Sequence, residues 1–203
     1  MRTILASILL LALALSCALA DPAPADRSPL DEHASPASAR PFPRPTNPTE
    51  VKIAALVEDS DRAWHAGNYP ECVRINEQII ALDPTWVDMY GTIAWLQWSM
   101  GQHLVALHTL HRGIASNPHS WEARFNMGLH RFNLKEYERA VKYLGQAVAM
   151  GGDAQARKSY AYALEHNRQP AEALAVWRGL IHDFPADPII KTHWERAEAA
   201  AHH

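Results

Sequence analysis

The stretch WEARFNMGLHRFNLKEYERAVKYLGQAV, residues 121–148, decides the fold of this chain. It reads as two short amphipathic helices that meet near residues 135–137. In the second helix Ala140, Leu144 and Val148 recur every fourth residue, which places them on one helical face. Two helices of this length bury little surface by themselves, so the pair must pack against further elements of the chain.

The same pattern returns along the chain with a period of 33 or 34 residues, which predicts a repeat architecture. Each period carries a small residue in its second helix, a large apolar residue eight positions later, and a proline or glycine that ends the helix. The aligned columns are Cys72, Ala106, Ala140 and Ala173, then Ile80, Ile114, Val148 and Ile181, then Pro84, Pro118, Gly152 and Pro185.

These columns resemble the tetratricopeptide repeat family. Units of that family are helix pairs of about 34 residues with a small residue in the first helix, an aromatic residue before the bend, a small residue in the second helix, and a closing proline. The small residues of the first helices are Ala94, Gly128 and Ala161. The resemblance covers about residues 53–187.

The resemblance implies an all-α fold, a right-handed α-solenoid of four helix hairpins within residues 49–187. A C-terminal capping helix and tail would occupy residues 188–203, where Ile189, Ile190 and Trp194 can cover the last repeat. The alternative for this tail is a helix that binds a partner. The four units are expected at about residues 53–86, 87–120, 121–153 and 154–187.

The first unit departs from the family pattern in two places. Asp59-Ser60 stands where an apolar and a small residue are usual, and Asn76 stands where a bulky residue is usual. These departures predict either weaker packing or the atypical terminal unit of a solenoid. Just before this unit, Asn47, Pro48 and Glu50 form a helix-start signal in which asparagine is the N-cap.

Residues 1–20 predict a cleaved signal peptide. Arg2 precedes an apolar run that ends in Ala18-Leu19-Ala20, a small-x-small pattern suited to cleavage after Ala20. An uncleaved membrane anchor and a lipoprotein attached through Cys17 are the alternatives. Cleavage implies a secreted or periplasmic protein with no membrane span.

Residues 21–48 predict an extended, disordered linker. Eight of the fourteen prolines of the chain lie here, and proline removes an amide donor and disfavours helix at the preceding residue. A proline-rich ligand for another domain is the alternative interpretation. Cleavage of the leader would leave Cys72 as the single cysteine, and its column predicts a buried small residue rather than a reactive thiol.

Motifs for catalysis are missing from the sequence. It has no glycine-rich phosphate loop and no serine in a nucleophile-elbow context. His108 and His111 are three residues apart and could share a metal, but no third and fourth ligand can be named, so no metal or cofactor is expected. The net charge of −3 gives no basis for nucleic-acid binding.

The resemblance implies that the first helices line a concave groove, which in this chain is rich in aromatic residues. Trp95, Leu129 and Tyr162 fill a column that is usually polar in the family, and this predicts a partner site. For Trp98 the alternative is core packing, because its column is commonly aromatic. The predicted groove residues are Trp95, Trp98, Phe125, Asn126, Leu129, Lys158 and Tyr162.

The sequence therefore predicts an exported scaffold without catalysis that binds a protein or peptide in an aromatic groove. An apolar or aromatic peptide suits this groove better than a terminal carboxylate, because Asn126 and Lys158 are its only fitting polar residues. An envelope lipoprotein anchored at Cys17 and, more remotely, a metal-binding protein using His108 and His111 are the alternatives. The oligomeric state is not predicted.

Overall fold

The computed structural model describes residues 45–201, which form nine α-helices and no strand. The predicted all-α repeat fold is confirmed. The predictions for residues 1–44, including Cys17 and most of the linker, lie outside the described residues, as do His202 and His203. The helices are α1 (Pro48–His65), α2 (Tyr69–Leu82), α3 (Val87–Ser99), α4 (His103–Ser116), α5 (Trp121–Asn133), α6 (Tyr137–Ala149), α7 (Ala154–His166), α8 (Pro170–Asp183) and α9 (Pro188–Ala201).

Consecutive helices pack on one another, so that α1 to α8 form four helix pairs and α9 packs on α8. The first helices also meet across pairs: α3 contacts α5, and α5 contacts α7. Comparable contact between second helices is not found within residues 45–201. The first helices therefore lie side by side on the inner side of the array, and the surface they form there is called the inner face below.

All four bends between paired helices close in the same way. The second residue after the first helix adopts a left-handed conformation, and the N–H of the following residue donates to the carbonyl five residues earlier at 2.8 to 3.0 Å. This is the Schellman arrangement, in which glycine is favoured because it has no Cβ. Gly67 and Gly101 satisfy that preference, whereas Lys135 and Arg168 adopt a φ of 60° in the later units.

Each pair of helices crosses where a small residue of the first helix faces a residue sixteen positions later. Ala94 meets Leu110, Gly128 meets Leu144, and Ala161 meets Trp177 in the buried clusters. At Gly128 the approach is close, because a Cβ there would lie 2.6 Å from Leu144 Cγ. This crossing explains the small-residue column seen in the sequence.

The first pair crosses through a buried polar contact instead. Ser60 Oγ donates to Asn76 Oδ1 at 2.6 Å and lies 3.2 Å from Cys72 Sγ. The two unusual residues of this unit therefore satisfy each other. Cys72 is fully buried and unbridged, as predicted, and burial raises the pKa of its thiol.

The predicted N-cap at Asn47 is confirmed. Asn47 Oδ1 accepts from Glu50 N at 2.9 Å, and the Glu50 carboxylate accepts from Thr46 N at 2.6 Å. At the other end, Asp187 Oδ1 accepts from the amides of Ile189 and Ile190 and so caps α9. Within residues 45–201, no helix combines the length and apolar character that crossing a membrane requires.

Candidate functional site

The inner face is continuous between α3 and α5. The amide of Asn126 lies against α3 at Gly91, where a Cβ would come within 2.7 Å of Asn126 Nδ2. Trp95 follows Gly91 by one helical turn and so shares its side of α3. Trp95 and Asn126, both half-buried, therefore border the same stretch of the inner face.

The two tryptophans of α3 are held by neighbouring rings. The Trp95 ring lies against Trp64 of the preceding unit, with ring centroids 5.3 Å apart. The Trp98 ring contacts His103 at 4.3 Å and His130, in an edge arrangement, at 5.2 Å. Both tryptophans remain half-buried, so each presents part of its surface while its ring plane is fixed by packing.

His130 is a feature that the sequence reasoning missed. Its side chain is 2% exposed, and its Nε2 atom has no hydrogen-bond partner among the described residues. Burial, with the nearby charges of His103 and Arg131, lowers the pKa of His130 to about 4, so the ring is neutral near pH 7. The signal in the sequence was a histidine at the position that Leu96 occupies in the second unit and Ala163 in the fourth.

Phe125 and Leu129 do not expose apolar surface in the groove, and this part of the sequence prediction is wrong. They are 6% and 2% exposed and belong to the core between α5, α6 and α7. The physical reason is that the small residues facing them leave room that these two side chains fill. Those small residues are Ala140, Ala147, Ala156 and Ala163.

Tyr162 and Lys158 lie where α7 meets α9. The Tyr162 ring packs on Trp177 and on His193 of α9, and its hydroxyl oxygen is 2.7 Å from His193 Nε2. Lys158 is half-buried. Burial lowers the pKa of His193, and the charges of Arg196 and Lys158 add to this effect. The Tyr162 side chain is thus already in contact with α9 of the same chain.

The structure places His108 and His111 on the exposed outer side of α4. Within residues 45–201 there is no group of three or more histidine, cysteine, aspartate or glutamate side chains placed to hold a metal ion. Leu104, in the first turn of the same helix, is 83% exposed and lies away from the inner face.

Comparison with known proteins agrees with the architecture. The tetratricopeptide repeat family model matches residues 92–149 and 127–188. No curated protein matches the chain significantly. Among solved structures, MamA from Desulfovibrio magneticus RS-1 is similar with a TM-score of 0.61 at 16% identity, and the match covers 74% of this chain and 85% of that chain.

Two further solved structures show the same likeness. A tetratricopeptide repeat protein of Thermus thermophilus has a TM-score of 0.58 at 19% identity, over 72% of this chain and 81% of that one. PilF of Pseudomonas aeruginosa has a TM-score of 0.63 at 14% identity, over 77% and 72%. At these identities the structures show the fold alone.

The helix pairs, the bends and the family match together show that this chain belongs to the tetratricopeptide repeat family, whose fold is that of a protein-interaction scaffold.

Proposed function

We propose that this chain is an exported, non-catalytic scaffold that binds a protein or peptide partner along its inner face. The observation that carries the proposal is the pair of half-buried tryptophans on α3, Trp95 and Trp98. They lie one turn apart on a helix whose neighbour α5 extends the same surface. Large aromatic side chains dominate the binding energy of protein interfaces.

The packing of these rings favours binding. Trp64 holds the Trp95 ring, and His103 and His130 hold the Trp98 ring, before any partner arrives. A side chain that is already ordered loses little conformational entropy when it is covered. The two tryptophans are therefore suited to act as fixed anchors for an apolar or aromatic side chain of the partner.

Asn126 and Lys158 would supply the polar contacts that orient a bound peptide. The Asn126 amide can donate and accept hydrogen bonds at the centre of the inner face, and Lys158 supplies a positive charge on α7. One lysine and one asparagine suit a peptide backbone or a single acidic side chain better than a multiply charged ligand. A peptide that presents apolar groups on one side, extended or helical, fits this arrangement.

The partner-binding proposal is tested by selecting peptides from a displayed random library on the full chain and measuring their affinities. Trp95→Ala should weaken binding by about tenfold or more, as expected for an aromatic anchor that the peptide covers. Leu104→Ala is the matched control, because it removes an exposed apolar side chain on the outer side of α4. Both variants must keep the parental melting temperature.

Equal affinities for the parent and the Trp95 variant would contradict the inner-face assignment. A loss confined to Leu104→Ala would move the binding surface to α4. A complete lack of selected peptides would overturn the proposed function itself.

The export proposal rests on the sequence of residues 1–20 and is tested by the mass of the native protein. Cleavage after Ala20 gives a chain that begins at Asp21. A chain that begins at a lipid-modified Cys17 would instead support the lipoprotein, and Cys17→Ser should then abolish the modification. A chain that retains Met1 would contradict both forms of processing.

A further inference from the structure

The helix α9 occupies a cleft that the repeats themselves form. It packs on α8 as α7 packs on α6, so it stands where a fifth unit would place its first helix. Its apolar anchor is Ile190, which is 1% exposed and packs in a cluster with Leu164, Trp177 and Leu180. The cleft between α7 and α8 therefore already holds a helix.

The cleft also makes specific polar contacts with this helix. The Glu165 carboxylate accepts from Trp177 Nε1 at 2.9 Å and from the Arg196 guanidinium of α9 at 2.6 Å. Glu165 stands in the column that holds Trp64, Trp98 and Phe132 in the other units, so this unit replaces an aromatic ring with a carboxylate. The replacement provides an anchor for one basic side chain on the bound helix.

The imidazole ring of His193 makes the third contact between α9 and the cleft. The His193 imidazole stacks on the buried Trp177 indole, with centroids 5.1 Å apart and planes 15° apart. The Tyr162 hydroxyl meets the same imidazole at 2.7 Å. Ile190, His193 and Arg196 recur every third residue, so they form one side of α9 and one recognition pattern.

α9 buries fewer residues than the first helices that lie inside the array. It buries one residue, Ile190, whereas α5 buries six and α7 buries five. Two polar atoms on its packed side, His193 Nδ1 and Trp194 Nε1, are buried without a hydrogen-bond partner among the described residues. Segments with few buried apolar contacts are the ones that open below the global unfolding free energy.

We propose that the cleft of α7 and α8 is a helix-binding site, that α9 occupies it in the absence of a partner, and that a partner helix exchanges with α9. The partner helix carries an apolar residue, a flat aromatic or imidazole ring three positions later, and an arginine three positions after that. This inference rests on the proposed scaffold function and assigns the C-terminal end of the inner face to a helical partner.

The first test uses a synthetic peptide of residues 187–201 as the probe. It is titrated onto the full chain and onto a full chain carrying Ile190→Asp, which weakens the internal helix and leaves the cleft residues unchanged. The peptide should bind the variant about tenfold more tightly than the parent, because the internal competitor is weaker. The matched control peptide carries the same substitution and should not bind.

A second variant, at a more exposed position of α9, tests the same proposal in case Ile190→Asp disturbs folding. Arg196→Glu places a carboxylate beside Glu165 on the partly exposed side of α9 and should raise peptide affinity in the same direction. Adding Glu165→Gln to either variant should reduce the gain. Equal peptide affinity for parent and variants that melt cooperatively would overturn the proposal and leave α9 as a permanent cap.

Hydrogen exchange of the parent chain provides an independent test. The amides of α9 should exchange about tenfold or more faster than those of α7, through opening of α9 alone. Equal protection of the two helices would overturn the proposal. Because both tests use the chain's own sequence, their failure leaves the Trp95 result standing, and failure of the Trp95 test leaves these results standing.

Discussion

The helix crossings of the first and third units solve the same packing problem in opposite ways. In the third unit Gly128 lets α6 approach until Leu144 fills the crossing completely. In the first unit Ser60 and Asn76 occupy the equivalent positions and form a buried hydrogen bond. The difference shows that the crossing needs complementary side chains rather than one fixed pair, and that a buried polar pair suffices if both members are satisfied.

The largest effect should come from emptying the apolar crossing. Leu144→Ala removes a fully buried side chain that contacts the Gly128 backbone, and the resulting cavity should cost about 3 to 5 kcal/mol of unfolding free energy. Urea denaturation measures the change, with exposed Lys142→Ala as the control on the same helix. A loss below about 1 kcal/mol would mean that the crossing collapses around the cavity.

His130 differs from the Ser60–Asn76 pair, because its buried Nε2 atom has no hydrogen-bond partner among the described residues. The pKa of His130 is about 4 in the folded chain, below the ordinary 6.5, so the unfolded chain binds the proton more tightly. The neutral His130 ring therefore costs no unfolding free energy well above pH 6.5. As the pH falls from 6.5 towards 4, the unfolding free energy decreases because of this group, by about 2 kcal/mol at pH 5.

His130→Leu tests this source of acid sensitivity, because leucine fills the equivalent position at Leu96. Denaturation at pH 7.5 and pH 5 should show a smaller pH dependence in the variant, by about 2 kcal/mol. The exposed His108→Leu is the control and should leave the pH dependence unchanged. An unaltered slope in the His130 variant would assign the acid sensitivity to other groups.

Breaking the polar crossing should have a smaller effect. Ser60→Ala leaves the Asn76 amide oxygen without its buried donor, which should cost about 1 to 3 kcal/mol. The double variant Ser60→Ala/Asn76→Leu reproduces the Ala94–Leu110 pair of the second unit and should recover most of the loss. Equal stability of the single and double variants would show that the two residues are not coupled.

The smallest effect concerns the bends, which also differ between the two halves of the array. Arg168 adopts a left-handed conformation where the first two units have glycine, so Arg168→Gly should stabilise the chain by about 1 kcal/mol. Gly101→Ala should destabilise it by a similar amount, since φ is 76° there and the cost is backbone strain alone. Thermal unfolding compares the two variants, and shifts of the same sign would contradict the strain argument.

The residues that the sequence predicts to line the groove differ in how much of their surface the structure leaves exposed. Trp95, Trp98, Asn126 and Lys158 are half-buried on those helices. Phe125 and Leu129 are covered by α6 and α7, and Tyr162 is engaged by α9. Periodicity places a residue on a side of its helix, but what covers that side depends on helices distant in the chain.

The sequence by itself determined the repeat period, the small-residue columns, the bends, and the helix start at Asn47. These features are local and recur in unit after unit, so a single chain states them several times. Only the tertiary structure decided the pairing of Ser60 with Asn76, the burial of His130, and the docking of α9 on Trp177. Each of these depends on contacts between separate helices, and one residue of such a contact gives no sign of its partner.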